Sequence, residues 1–64
     1  MDAEHIRNLI ESRGYEVVCS YDPDLGDVLD ARVEGRVVAR VTRFLSLEEG
    51  LRALAGELGL PTAD

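Results

Sequence analysis

Residues 28–44 read VLDARVEGRVVARVTRF, two runs in which apolar and polar side chains alternate and which meet at Glu34-Gly35. Alternation with a period of two is typical of strands that bury one face, and a glycine between two such runs is typical of a tight turn. The stretch therefore predicts a β-hairpin with strands at 28–33 and 36–43. Its buried face is predicted to hold the odd-numbered apolar residues Leu29, Ala31, Val33, Val37, Ala39 and Val41.

The length of the hairpin loop decides whether that apolar face stays intact. A two-residue loop would pair odd positions with even ones and would set Ala31 beside Val38 or Arg40. A three-residue loop, at 33–35 or 34–36, pairs odd positions with odd ones and keeps the face together. We therefore expect a three-residue loop, with Gly35 in the left-handed conformation of a bulged hairpin.

The segment before the hairpin predicts a helix and then a first strand. Asp2 can cap a helix over 3–13, whose apolar side chains recur with helical spacing and which Gly14 can end. Alternation over 15–21, again with apolar odd positions, predicts a strand. Pro23 lacks a backbone donor, so the stretch from Asp22 to Gly26 predicts the turn that ends this strand.

A second helix is predicted directly after the hairpin. Ser46 and Glu49 have the spacing of a capping box, and Gly59-Leu60-Pro61 has the pattern of a helix end. Gly50 and Gly56 each weaken the helix by roughly 1 kcal/mol relative to alanine, but they allow a neighbour to approach closely. The apolar stripe of this helix is Leu47, Leu51, Leu54, Ala55 and Leu58.

Together these elements predict one α+β domain over 1–64, with the order α-β-β-β-α. Each helix has one apolar stripe and the sheet has one apolar face, so we expect two layers, with a three-stranded antiparallel meander and both helices packed on one face. A short polar tail is expected at 62–64.

Size and composition limit the function. The chain has 64 residues, one cysteine and a net charge of −6, so no intrachain disulfide can stabilise a core of marginal size. Its basic residues are all arginine, as is typical of GC-rich prokaryotic genomes. The negative charge makes nucleic-acid and membrane binding unlikely, and no apolar run approaches 18 residues. We expect a cytoplasmic protein.

The even-numbered face of the sheet is the candidate binding surface. Val18, Val28 and Val38 can form an apolar centre, flanked by arginines such as Arg36 and Arg40 that can pair with Asp30 or Glu16. An apolar centre with an arginine-bearing rim suits a protein–protein interface, either in a homodimer or with a larger protein partner. The alternative is an ordinary solvated face whose valines reflect strand propensity.

No catalytic, cofactor or metal site is expected. The acidic turn that starts at Asp22 departs from the EF-hand pattern, with glycine at its fifth position and Val33 at its twelfth. His5 is expected at the surface of the first helix, without the partners that catalysis needs. Cys19 is expected as a small buried thiol, and Tyr15 and Tyr21 as rings at the edge of the core.

The order α-β-β-β-α is similar to that of double-stranded-RNA-binding domains. In that family a lysine-rich segment at the start of the second helix grips phosphates, whereas this helix starts Ser46-Leu47-Glu48-Glu49. The resemblance is therefore one of topology and does not carry the function with it.

A second resemblance is to restriction-endonuclease-like nucleases, through the residue order at 14–18, 26–27 and 38–43. Asp27 or Asp30 matches the aspartate that holds Mg²⁺ in that family, but Ala39 and Val41 replace its acid and lysine. The resemblance implies an inactive nuclease-fold remnant. The alternative function is thus a nucleic-acid-associated regulator, and acidic mimicry of DNA ranks last.

Overall fold

The fold is a two-layer α+β arrangement, seen in a computed structural model that describes residues 2–62. Its elements are α1 (Ala3–Ser12), β1 (Glu16–Asp22), β2 (Gly26–Val33), β3 (Arg36–Thr42) and α2 (Leu47–Glu57). The three strands form one antiparallel sheet in the order β1-β2-β3. The predicted element order and meander are confirmed; of the predicted polar tail, 63–64 lie outside the described residues.

The core lies between the sheet and both helices, which pack on the same face. Ile6 and Ile10 of α1 and three residues of α2 are buried against Val17 and Leu29 and their neighbours on the sheet. Leu29 and Ala31 of the first run lie in the core as predicted, and Ala39 and Val41 of the second run pack against it. The buried residues of the core are Ile6, Ile10, Val17, Leu29, Ala31, Leu51, Leu54 and Ala55.

The predicted helix caps are present. The carboxylate of Asp2 accepts from the backbone N–H of His5 at 2.9 Å, and the hydroxyl of Ser46 accepts from the N–H of Glu49 at 3.1 Å. At the end of α2 the N–H of Leu60 donates to the carbonyl of Ala55 at 2.9 Å, which is the long bond of a Schellman motif. These bonds satisfy backbone groups that a helix end leaves unpaired.

The prediction of a three-residue loop between β2 and β3 is wrong. The pairing of odd-numbered with odd-numbered residues, which was the reason for that prediction, is nevertheless present. Val33 pairs with Arg36, so the loop contains only Glu34 and Gly35, and both have the positive φ that a type I′ turn requires. The register then shifts between Ala31 and Arg32, which leaves one extra residue in β3. This β-bulge at position 38 restores odd-with-odd pairing further along the hairpin.

The bulge also corrects the predicted faces near the turn. Val37 lies opposite Arg32, and Arg36 lies opposite Val33, so each is on the face opposite to the one predicted. Directly opposed residues of an antiparallel pair project to the same side, which places Val37 away from the helices and Arg36 toward them.

Phe44 also departs from the alternation of the strand, which would place this even-numbered residue on the face away from the helices. Strand β3 ends at Thr42, and Arg43 adopts φ 59°, which turns the chain. The ring of Phe44 then packs against the core.

Gly50 is the position where α2 comes closest to its neighbours. A Cβ atom at this buried glycine would lie 2.7 Å from Leu29 Cδ1 and 2.7 Å from Phe44 Cγ. The expectation that a glycine permits close approach is therefore confirmed at Gly50. Gly56 is exposed, and a Cβ atom there would meet no atom within 4 Å.

The two glycines of α2 predict opposite responses to alanine. Gly50→Ala should lower the free energy of unfolding by about 1–3 kcal/mol, because overpacking outweighs the gain in helix propensity. Gly56→Ala should raise it by up to about 1 kcal/mol through propensity alone. Urea unfolding followed by circular dichroism measures both, and stabilisation by both variants would contradict the packing at Gly50.

Candidate functional site

The sheet surface that faces away from the helices, here called the open face, has a buried carboxylate at its centre. Asp30 lies midway along β2, the central strand, and only 1 % of it is exposed. In the register of the sheet it stands between Val18 of β1 and Arg40 of β3. A charged group is rarely buried to this extent unless it is paired.

Two arginines cover Asp30. Arg40 donates from Nε to Oδ1 at 2.7 Å and from Nη2 to Oδ2 at 3.2 Å, which is a bidentate pair across the strands. Arg32 donates from Nη2 to Oδ2 at 3.1 Å, and its own Nε is buried without a hydrogen-bond partner. The carboxylate is thus removed from water by the side chains that neutralise it.

These contacts shift the ionisation of both partners. The hydrogen bond from Arg40 holds the pKa of Asp30 below its ordinary value, against the opposing effect of burial, and Arg32 acts in the same direction. The same pair raises the pKa of Arg40. The charged forms of both groups therefore stabilise the folded sheet.

The residues predicted to form a contact surface differ in their exposure and in the face of the sheet on which they lie. Val38 is exposed at the bulge of β3, where it has no strand partner, and Val18 is half-buried on the open face, where Arg40 also lies. Val28 is on the same face but only 4 % exposed, so it offers little area to a partner. Arg36 lies toward the helix side at the turn. The bulge adds Val37, which the sequence did not predict for this face.

A second surface lies at the end of the sheet nearest the β1–β2 turn, on the helix side. We call it the end groove and define it by its lining residues Ala3, Glu4, Arg7, Cys19, Asp27, Leu45, Leu47 and Leu51. Two adjoining concavities are lined by Arg7, Leu47 and Leu51. A third concavity, which shares Leu47 with them, is lined by Asp27 and Leu45. Cys19 and Tyr21, on the helix side of this end of β1, are exposed.

Two side chains beside the groove correct the sequence analysis. Cys19 has the predicted parity but is exposed, and Tyr21 is 72 % exposed, so neither the buried thiol nor the core-edge ring is found at these positions. Tyr15 does pack against the core, as expected. The exposure of Leu45 had no sequence signal, because it depends on the packing of Phe44 against the core.

The acidic residues of the nuclease resemblance are not brought together. Asp27 pairs with Tyr21 on the helix side of the sheet, whereas Asp30 is on the open face, where the arginines occupy both of its oxygens. His5 is exposed, and its Nδ1 lies 2.9 Å from Asp2 Oδ1. Across residues 2–62, no three His, Cys, Asp or Glu side chains are grouped so as to hold a metal ion.

Comparison with protein-family models, curated proteins and solved structures finds no match to this chain. Neither α1 nor α2 has the length and apolar character needed to cross a membrane, and no other helix occurs in the described part of the chain.

The ion pair at Asp30 predicts how stability depends on pH. A carboxylate whose pKa is lowered by folding contributes stability that is present above its unfolded pKa and is lost as the pH falls through its folded pKa. Asp30→Asn should therefore be less stable than the parent at neutral pH by about 1–3 kcal/mol. It should also lose less stability than the parent between about pH 5 and pH 2.

Urea unfolding at a series of pH values measures this difference. Asp24→Asn, in the exposed β1–β2 turn, is the control for the loss of one negative charge. If the free energy of unfolding of Asp30→Asn fell as steeply with decreasing pH as that of the parent, the stabilising role of the Asp30 ion pair would be contradicted.

Proposed function

We propose that this chain is a small, acidic, non-catalytic interaction module that forms a homodimer by stacking two open faces. The observation that supports this proposal best is the composition of the open face. A neutralised Asp30–arginine cluster lies at its centre, Val18 and Val37 lie on the same face, and exposed Val38 adjoins them at the bulge. Apolar side chains combined with arginine are typical of the centres of protein–protein interfaces.

The size of the core supports self-association. Among the described residues, nine apolar side chains are buried, and the shortest extent of the molecule is 17 Å, as two layers imply. A domain of this length is near the lower limit for a stable single core, and binding to a second folded copy adds stability by mass action. An interface of standard size takes about 800 Å² from each partner, about a fifth of the 4208 Å² exposed here.

The arginine pairing also favours a protein partner over nucleic acid. Arg32 and Arg40 both donate to Asp30, so part of their charge is already neutralised within the chain. Removing a paired guanidinium from water costs less free energy than removing an unpaired one. Binding to phosphate, by contrast, relies on positive charge that is not already compensated. The open face therefore gives less support to the nucleic-acid alternative.

A single aspartate substitution tests the dimer. Val38→Asp places a carboxylate on each of two stacked faces and should weaken the dimer at least about 100-fold. Val38 is exposed, so the folded monomer should be retained, as circular dichroism can verify. Sedimentation equilibrium over a concentration series should give a dimer for the parent and a monomer for the variant.

The matched control is Leu45→Asp, which adds the same charge at an exposed apolar residue of the end groove. It should leave the dimer mass unchanged. A parent that stays monomeric throughout the concentration series, or a Val38→Asp variant with the mass of the parent, would overturn the homodimer.

A further inference from the structure

The end groove presents an apolar side chain that the fold holds away from the core. Leu45 is 92 % exposed, although the residues on both sides of it are fixed. Phe44 before it packs into the core, and Ser46 after it caps α2. Leu45 therefore cannot turn inward without undocking the ring or breaking the cap.

Leu45 is part of a continuous concave surface. It lines a cavity of about 400 Å³ with Phe44 and Leu47, and Leu47 continues into the concavities lined by Leu51 and Ala3. Exposed Cys19 lies at the point where two of these concavities meet. An apolar groove of this kind can accept the apolar face of an amphipathic helix.

The charges along the groove indicate the chemistry of its partner. Glu4 lines one end and Asp27 the other, and the β1–β2 turn next to Asp27 carries further aspartates. Arg7 is the cation among the lining residues, and its Nε lies 3.7 Å from Glu11 Oε2. A partner with apolar side chains along its middle and cations at its ends complements this arrangement.

We propose that the end groove binds a basic amphipathic helix of a protein partner, with leucine-like side chains against Leu45 and Leu47 and with lysine or arginine toward Glu4 and Asp27. The proposal does not depend on the homodimer, because the groove is on the helix side of the sheet and the proposed dimer uses the open face. The two surfaces would make the chain an adaptor that displays two grooves per dimer.

A pair of synthetic helical peptides provides the probe. Both carry the same leucine stripe, one with lysine and the other with glutamate at the polar positions. Isothermal titration should show binding of the lysine peptide to the full chain, weakening as salt is raised, and at least tenfold weaker binding of the glutamate peptide.

The variants separate docking in the groove from general attraction to an acidic protein. Leu45→Asp makes the chain more negative, so general attraction would strengthen with the lysine peptide, whereas docking in the groove should weaken at least tenfold. Val38→Asp adds the same charge on the open face and should bind at least as tightly as the parent. Equal effects of the two variants, or tighter binding by Leu45→Asp, would overturn the proposal.

Cys19 provides an independent measure of where the peptide binds, because it is the only cysteine of the chain and is exposed within the groove. Bound lysine peptide should slow alkylation of Cys19 at least tenfold in the parent and have little effect in Leu45→Asp. Alkylation at an unchanged rate under saturating peptide would place the binding elsewhere and would contradict the proposal.

Discussion

The register between β2 and β3 is the constraint on which the rest of the structure depends. The two-residue turn at Glu34-Gly35 alone would set odd positions of one strand against even positions of the other, and the extra residue at Val38 cancels that offset. With the offset cancelled, Ala31 lies opposite Ala39 on the helix side. The same pairing sets Asp30 opposite Arg40 on the open face, so one bulge organises both the core and the buried ion pair.

The closure of the second layer depends on two backbone features of the β3–α2 connection. The left-handed conformation of Arg43 turns Phe44 into the core, and the absence of a side chain at Gly50 leaves room for its ring. The core gains an aromatic side chain in this way. The same geometry leaves Leu45 in water, so the end groove is a consequence of how the core is completed.

The sequence predicted those features that depend on local pattern. The capped helices, the three strands and the helix-facing role of Leu29 and Ala31 follow from periodicity and capping chemistry, which act over a few residues. The pairing of Asp30 with an arginine was one of two expected alternatives, the other being Glu16. The burial of Asp30 was not, because it depends on how two long side chains lie across a neighbouring strand.

The wrong predictions share a cause in backbone conformations at single residues. The sequence analysis treated the alternation of faces as unbroken, but the bulge at Val38 exchanges the sides of Arg36 and Val37, and the positive φ of Arg43 redirects Phe44. Glu34 and Arg43 are neither glycine nor asparagine, so composition gives little sign of their left-handed conformation. Cys19 and Tyr21 lie on β1, an edge strand, and alternation alone does not show how much of an edge strand the helices cover.

The bulge at Val38 has a further consequence for how copies of this chain can assemble. Strand β3 is an edge of the sheet, and an edge with regularly spaced backbone donors and acceptors is a template for the addition of strands without limit. The irregular residue interrupts that spacing, and Arg36 at the start of the strand and Arg43 just after its end add repulsion between edges. The strand that organises the core thereby also disfavours fibrillar growth at its own edge.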